Sequence, residues 1–178
     1  LCFWGTQVRE LALKIRKTFA QLGATEDAVL EITLPDGLET VGCMLFAGSS
    51  IRKVTISASI VELGKDAFRN CEQLKSVVFA EDSRLKTVRQ GCFRHSGVEE
   101  IFVSKDVVEL GREAFADCTS LRRLVFQPGS VLENIGDSCF YRSGLEAVET
   151  PESLLIVRAN AFQDCKGLRS AVLNDGLQ

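Results

Sequence analysis

Apolar residues recur along this chain in a fixed frame. Segments aligned on them open at Val29, Ile51, Leu74, Val98, Leu121, Leu145 and Leu168, at spacings of 22 to 24 residues. Each opens with an apolar-x-x-apolar-x-apolar run, as in Leu74, Val77, Phe79 or Leu121, Leu124, Phe126. The alternation is a strand period, with Val77 and Phe79 turned inward and Ser76 and Val78 outward. A second apolar position and a phenylalanine follow: Leu63 then Phe68, Leu110 then Phe115, Ile135 then Phe140, Val157 then Phe162.

A longer period lies over the first. Residues 51–97 and 98–144 align without a gap over 47 positions, 17 of them identical. One half carries Ala-Phe-x-x-Cys-x-x-Leu (Phe68 with Cys71, Phe115 with Cys118, Phe162 with Cys165). The other carries Cys-Phe-x-x-Ser-Gly (Cys92 to Gly97, Cys139 to Gly144). A unit of about 23 residues cannot bury an apolar face alone, but stacked copies share one continuous core. Strands one coil apart run parallel, roughly 4.8 Å from their neighbours. Gly64, Gly111 and Gly136 are expected at corners where a side chain would not fit. Pro35, Pro128 and Pro151 each follow a strand, where a missing N–H does least harm. The short Phe segment is expected to be a turn, or one turn of helix, on the opposite side.

Residues 1–28 read differently. Val8, Leu11, Ile15, Phe19 and Leu22 share one face of a helix running from Thr6 to Leu22, with Thr6 as N-cap and Gly23 just past its end. The other face carries Arg9, Lys14, Arg16 and Lys17 against Glu10. The reading is a cap on the open end of the first coil, as solenoids require. A basic helix resting on an anionic membrane surface or docking on a partner is the alternative. The solenoid is assigned to residues 29–178. Because the chain starts at Leu1 and stops inside the repeat pattern, it is expected to be part of a longer protein, with the solenoid truncated at its C-terminus.

In this frame Cys118, Leu121, Leu124, Phe126, Ile135, Gly136, Cys139 and Phe140 follow the pattern of one family, and from about Val29 onward the chain resembles the BspA-like (Treponema pallidum type) leucine-rich repeats. It departs from that pattern at Arg158, which stands where a corner glycine belongs, and Pro occurs in three copies only. The resemblance implies a strand-rich leucine-rich-repeat solenoid of about six to seven coils. It further implies a surface or secreted protein of adhesion and recognition. Right-handed winding is expected from the preference of parallel crossovers.

Composition narrows the function. A net charge of −3 with a single histidine argues against a nucleic-acid partner. The longest apolar stretches are a few residues, far short of the roughly 20 that span a bilayer. Seven cysteines lack CxxC pairs and histidines at metal spacing, so no metal or cofactor is expected. Equivalent cysteines two coils apart lie ~9.5 Å from each other, beyond disulfide reach; a bridge between adjacent coils, such as Cys71 to Cys92, stays open on this argument. The ladder cysteines Cys71, Cys92, Cys118, Cys139 and Cys165 are read as reduced core filler, and Cys2 and Cys43 as the reactive thiols. Reduced cysteines would also suit an intracellular location. His95 lacks a nucleophile partner in the pattern, and Glu62 and Glu109, in equivalent positions, are read as solvated carboxylates.

The outward face of the strands is the informative surface. Its first row is Glu31, Lys53, Ser76, Glu100, Arg123, Ala147, Ser170, and its second Thr33, Thr55, Val78, Phe102, Val125, Glu149, Val172. Val78, Phe102 and Val125, edged by Glu100 and Arg123, are the candidate partner-binding residues, since apolar side chains pointing away from a core mark recognition surfaces. The expected function is non-catalytic protein binding. A structural scaffold subunit of a larger assembly is the alternative.

Overall fold

The computed structural model describes residues 31–176, so the helix expected at Thr6–Leu22, the domain boundary at residue 28 and Cys2 lie outside the described residues. Thirteen strands follow one another along them: β1 (Glu31–Thr33), β2 (Thr40–Val41), β3 (Lys53–Ile56), β4 (Glu62–Leu63), β5 (Ser76–Phe79), β6 (Thr87–Val88), β7 (Glu100–Val103), β8 (Glu109–Leu110), β9 (Arg123–Phe126), β10 (Asn134–Ile135), β11 (Ala147–Glu149), β12 (Ile156–Val157) and β13 (Ser170–Val172). The odd strands form a seven-stranded sheet and the even strands a six-stranded one, each in chain order and parallel throughout. The chain therefore winds as a solenoid of about six coils. The second sheet was not foreseen, because a two-residue strand is too short to display a period.

At the corner after each even strand, the backbones of adjacent coils close in. A Cβ on Gly64 would lie 2.3 Å from the Val41 carbonyl oxygen, and one on Gly136 2.6 Å from the Arg112 nitrogen. A side chain at these two glycines would force one backbone to shift. Arg89 and Arg158 occupy the same corner, and their N–H groups still bond the preceding coil, at Leu63 O and Ile135 O, both 2.9 Å.

The third side carries the phenylalanines. It is a turn rather than a helix, built around two left-handed residues per coil, one two places before the phenylalanine and one two places after it. Asp66 and Asn70 flank Phe68 in this way, Glu113 and Asp117 flank Phe115, and Asn160 and Asp164 flank Phe162. Asn and Asp tolerate this backbone best among side-chain-bearing residues. The geometry redirects the hydrogen bonds. Asp66, Phe68 and Asn70 donate forward to Gln90 O, Cys92 O and Arg94 O at 2.7–2.9 Å, whereas Lys75 and Arg122, entering the strands, donate back to Arg52 O and Glu99 O at 2.8–2.9 Å. The six rings of Phe46, Phe68, Phe93, Phe115, Phe140 and Phe162 stack at 5.1–5.3 Å with planes within 11° of parallel. The middle four are fully buried.

The 47-residue period also acquires a physical meaning here. Three places after successive phenylalanines stand Ser49, Cys71, Ser96, Cys118, Ser143 and Cys165 in alternation. Each of these cysteines donates to the carbonyl of the phenylalanine one coil back: Cys71 to Phe46, Cys118 to Phe93 and Cys165 to Phe140, at 3.0–3.1 Å. Each also touches the serine of that coil at 3.2–3.5 Å. Burial pushes the Cys118 thiol up to about 11 and raises Cys92 and Cys139 still more strongly, so the ladder thiols stay protonated donors. All five ladder cysteines are buried and unbridged, which removes the Cys71–Cys92 alternative. Cys43, expected as a reactive thiol, is instead disulfide-bonded.

Candidate binding face

The seven-stranded sheet presents its outward rows as the repeat frame implies. The first row is in register from Glu31 through Lys53, Ser76, Glu100, Arg123 and Ala147 to Ser170. In the second row Phe102 stands beside Val125. Val78 is 40% exposed and Phe102 47%, while Val125 is half-buried. The neighbouring inward residues Val77, Ile101 and Leu124 are core. Glu100 and Arg123 pair at 2.8 Å across β7 and β9.

The sheet is not uniform. β3 and β5 pair over four residues, and so do β7 and β9. Between β5 and β7 the pairing shrinks to Ser76–Glu100, and between β9 and β11 to Arg123–Ala147. Both narrowings follow a strand that ends in a half-buried phenylalanine, Phe79 or Phe126. Both also precede the longer loops: six positions separate Phe79 from Leu85 and Phe126 from Leu132, against four from Ile56 to Ile60 and from Val103 to Val107. A bulkier end residue and a longer loop thus recur every second coil, and the sheet opens there.

Each opening forms a cavity of about 490 Å³. The first is lined by Val78, Phe102, Lys75, Glu99 and Glu100. The second is lined by Val125, Phe126, Pro128, Pro151, Glu149 and Glu152. Gln127 borders both, and its Oε1 accepts from the Lys105 N–H at 3.0 Å. The apolar row is therefore divided: Val78 and Phe102 flank one opening, and Val125 lines the next. Sequence reasoning missed Gln127, Glu149 and Glu152 as lining residues, although the extra residues in alternate loops were the available signal.

Most charges around the row are neutralised in pairs, Lys75 with Glu99 at 3.0 Å and Lys53 with Glu31 at 3.3 Å. Elsewhere, His95 lies exposed in a left-handed turn position, 3.9 Å from Glu72. Glu62 is held by Arg89 at 2.7 Å, while Thr87 stands between it and Glu109 in the second sheet. Among the described residues no group of three or more potential metal ligands gathers, and no helix is long and apolar enough to cross a membrane.

The solenoid has known counterparts. The Treponema pallidum leucine-rich repeat protein superposes with a TM-score of 0.71 at 22% identity, over 83% of this chain and 71% of that one. The pneumococcal vaccine antigen PcpA superposes at 0.59 and 16% identity, over 87% of this chain and 63% of that one. A leucine-rich cell surface protein of Faecalibacterium prausnitzii gives 0.56 and 19%, over 79% of this chain and 46% of that one. No curated protein matches the sequence. Six copies of the BspA type leucine rich repeat region match residues 18–122 and 86–178. With that match running through strands, corners and phenylalanine turns alike, the chain belongs to the BspA-type leucine-rich repeat family.

Proposed function

We propose that the chain is a non-catalytic recognition module that binds a protein partner through the outward face of the seven-stranded sheet, centred on Val78, Phe102 and Val125, with Glu100 and Arg123 at its polar edge. The observation that carries this reading is Phe102, an aromatic side chain 47% exposed in the middle of a parallel sheet, with the inward residues Val77, Ile101 and Leu124 of its own and the adjacent strands in the core. Rigid strands hold its backbone, so docking orders little besides the side chain, and an aromatic with a nearby arginine is a common hot-spot composition. Similarity to a pneumococcal vaccine antigen and to a leucine-rich cell surface protein supports display at a cell surface.

The test compares Phe102→Asp with the parent and with Val131→Asp, which alters an exposed side chain that lines neither opening. Each immobilised chain is exposed to the same extracellular protein mixture, and the retained species are identified. Phe102→Asp should lose species that the parent and Val131→Asp both keep, with its stability within about 0.5 kcal/mol of the parent. Retention of the same species by Phe102→Asp would place binding elsewhere.

A further inference from the structure

The two openings differ in charge, and the difference names the chemistry of the occupant. Around the first, Lys75 pairs with Glu99 and Glu100 with Arg123, so its walls are close to neutral and its exposed apolar surface is Val78 and Phe102. At the second, Glu149 and Glu152 face the cavity rim above Val125 and Phe126, and among the described residues neither carboxylate is in an ion pair. Arg122 and Glu146 face each other at 4.0 Å before β9 and β11. Arg52 and Arg169 precede β3 and β13, on the far side of the strands from Glu149 and Glu152. Among the described residues, then, no ion pair neutralises the negative charge at the second opening.

Resting on the binding-face reading above, we propose that the face takes an extended segment of a partner protein that puts an apolar side chain between Val78 and Phe102 and a lysine or arginine against Glu149 and Glu152. The spacing is set by the sheet. The openings lie two strand spacings apart, ~10 Å, and an extended chain in the polyproline II conformation advances ~3.1 Å per residue and returns to the same face every third residue, so the two side chains stand three residues apart. The apolar contact supplies burial, while the cation over an apolar floor supplies register and discrimination, since a like charge there is penalised.

The experiment uses three soluble peptide pools, each fixed only in one leucine and, three residues on, in arginine, glutamine or glutamate. Their retention is measured on the parent chain, on Glu149→Gln/Glu152→Gln and on Phe102→Asp, each variant first checked for an unchanged melting temperature. The arginine pool should be retained about fivefold over the glutamine pool, the scale of a partly exposed ion pair. That preference should vanish in Glu149→Gln/Glu152→Gln, and all retention should vanish in Phe102→Asp. Equal retention of the pools that is lost in Phe102→Asp overturns the charge assignment while leaving the face intact. Preference for glutamate, or no retention of any pool, also overturns it. Retention indifferent to Phe102→Asp overturns the binding-face reading itself.

Discussion

The turn side and the seven-stranded sheet are made from the same repeats, yet they treat the 47-residue period in opposite ways. On the turn side the alternation of serine and cysteine closes a contact at every second step, each thiol reaching back to a phenylalanine carbonyl and a serine. The rings above it keep a spacing of 5.1–5.3 Å through all six coils. On the sheet side the same period opens the ladder after β5 and β9. A solenoid is held by neighbour contacts alone, so one side can loosen only where another keeps the coils in register. The phenylalanine side supplies that register and leaves the sheet free to vary.

The largest effect should come from breaking the regular side. Phe115 is buried and stacks on both Phe93 and Phe140, so Phe115→Ala should cost about 3–5 kcal/mol in denaturant unfolding, as buried phenylalanine truncations do. A cost below about 1 kcal/mol would mean that the sheets, not the ring stack, hold adjacent coils together.

The thiol ladder comes next, and pH reads it out. Burial raises the Cys118 thiol from 9.0 to about 11, so the folded state holds its proton where the unfolded chain releases it. This contribution is complete below pH 9 and is lost as pH rises toward 11, with a magnitude on the order of 2 kcal/mol. Cys118→Ser keeps a donor for Phe93 O without a group that titrates in this range. Its urea midpoint should therefore fall less than the parent's between pH 9 and 11. Parallel curves would show that the thiol is not held as the geometry places it.

Much of this arrangement was legible in the sequence. The spacing of apolar positions gave the strands and their facing, and the rows from Glu31 to Ser170 and from Phe102 to Val125 follow from the frame alone. Even the alternation of Ser96 with Cys118 was visible as letters. Its meaning was not, because the hydrogen bond joins residues 25 apart on adjacent coils and no local pattern states which carbonyl a thiol reaches. The openings were hidden for a related reason: the length of the loop after Phe79 or Phe126 is plain, but the loss of pairing it accompanies depends on the neighbouring coil. The six-stranded sheet was hidden by brevity, each of its strands being a pair such as Glu62–Leu63.

The openings themselves predict a kinetic contrast within the sheet. Amides at Phe102–Ser104, beside the first opening, should exchange with solvent about tenfold faster than those at Val78–Ala80, where β5 pairs fully with β3 and the Ala80 N–H donates to Ile56 O at 3.0 Å. Hydrogen exchange resolved to these peptides measures it. Equal protection would mean that the sheet is uniform and that the cavities are surface dimples between side chains.

The smallest expected effect concerns the pair at the edge of the binding face. Glu100 and Arg123 lie 2.8 Å apart, but the Arg123 side chain is 69% exposed and that of Glu100 31%. Water screens such a pair, and holding two long side chains together costs entropy, so the net contribution to folding is about 0–1 kcal/mol. Arg123→Ala should therefore leave the unfolding midpoint nearly unchanged. Its consequence falls on the sheet surface: Glu100 loses the cation that neutralises it, and the wall of the first opening becomes negative like the rim of the second. In the peptide-pool measurement Arg123→Ala should shift retention further toward the arginine pool, while Glu100→Gln should leave the preference set by Glu149 and Glu152 in place. A drop of more than about 2 kcal/mol in stability for Arg123→Ala would instead assign this pair to holding β7 against β9, and the contrast between a fastening side and a displaying side would have to be redrawn at that strand pair.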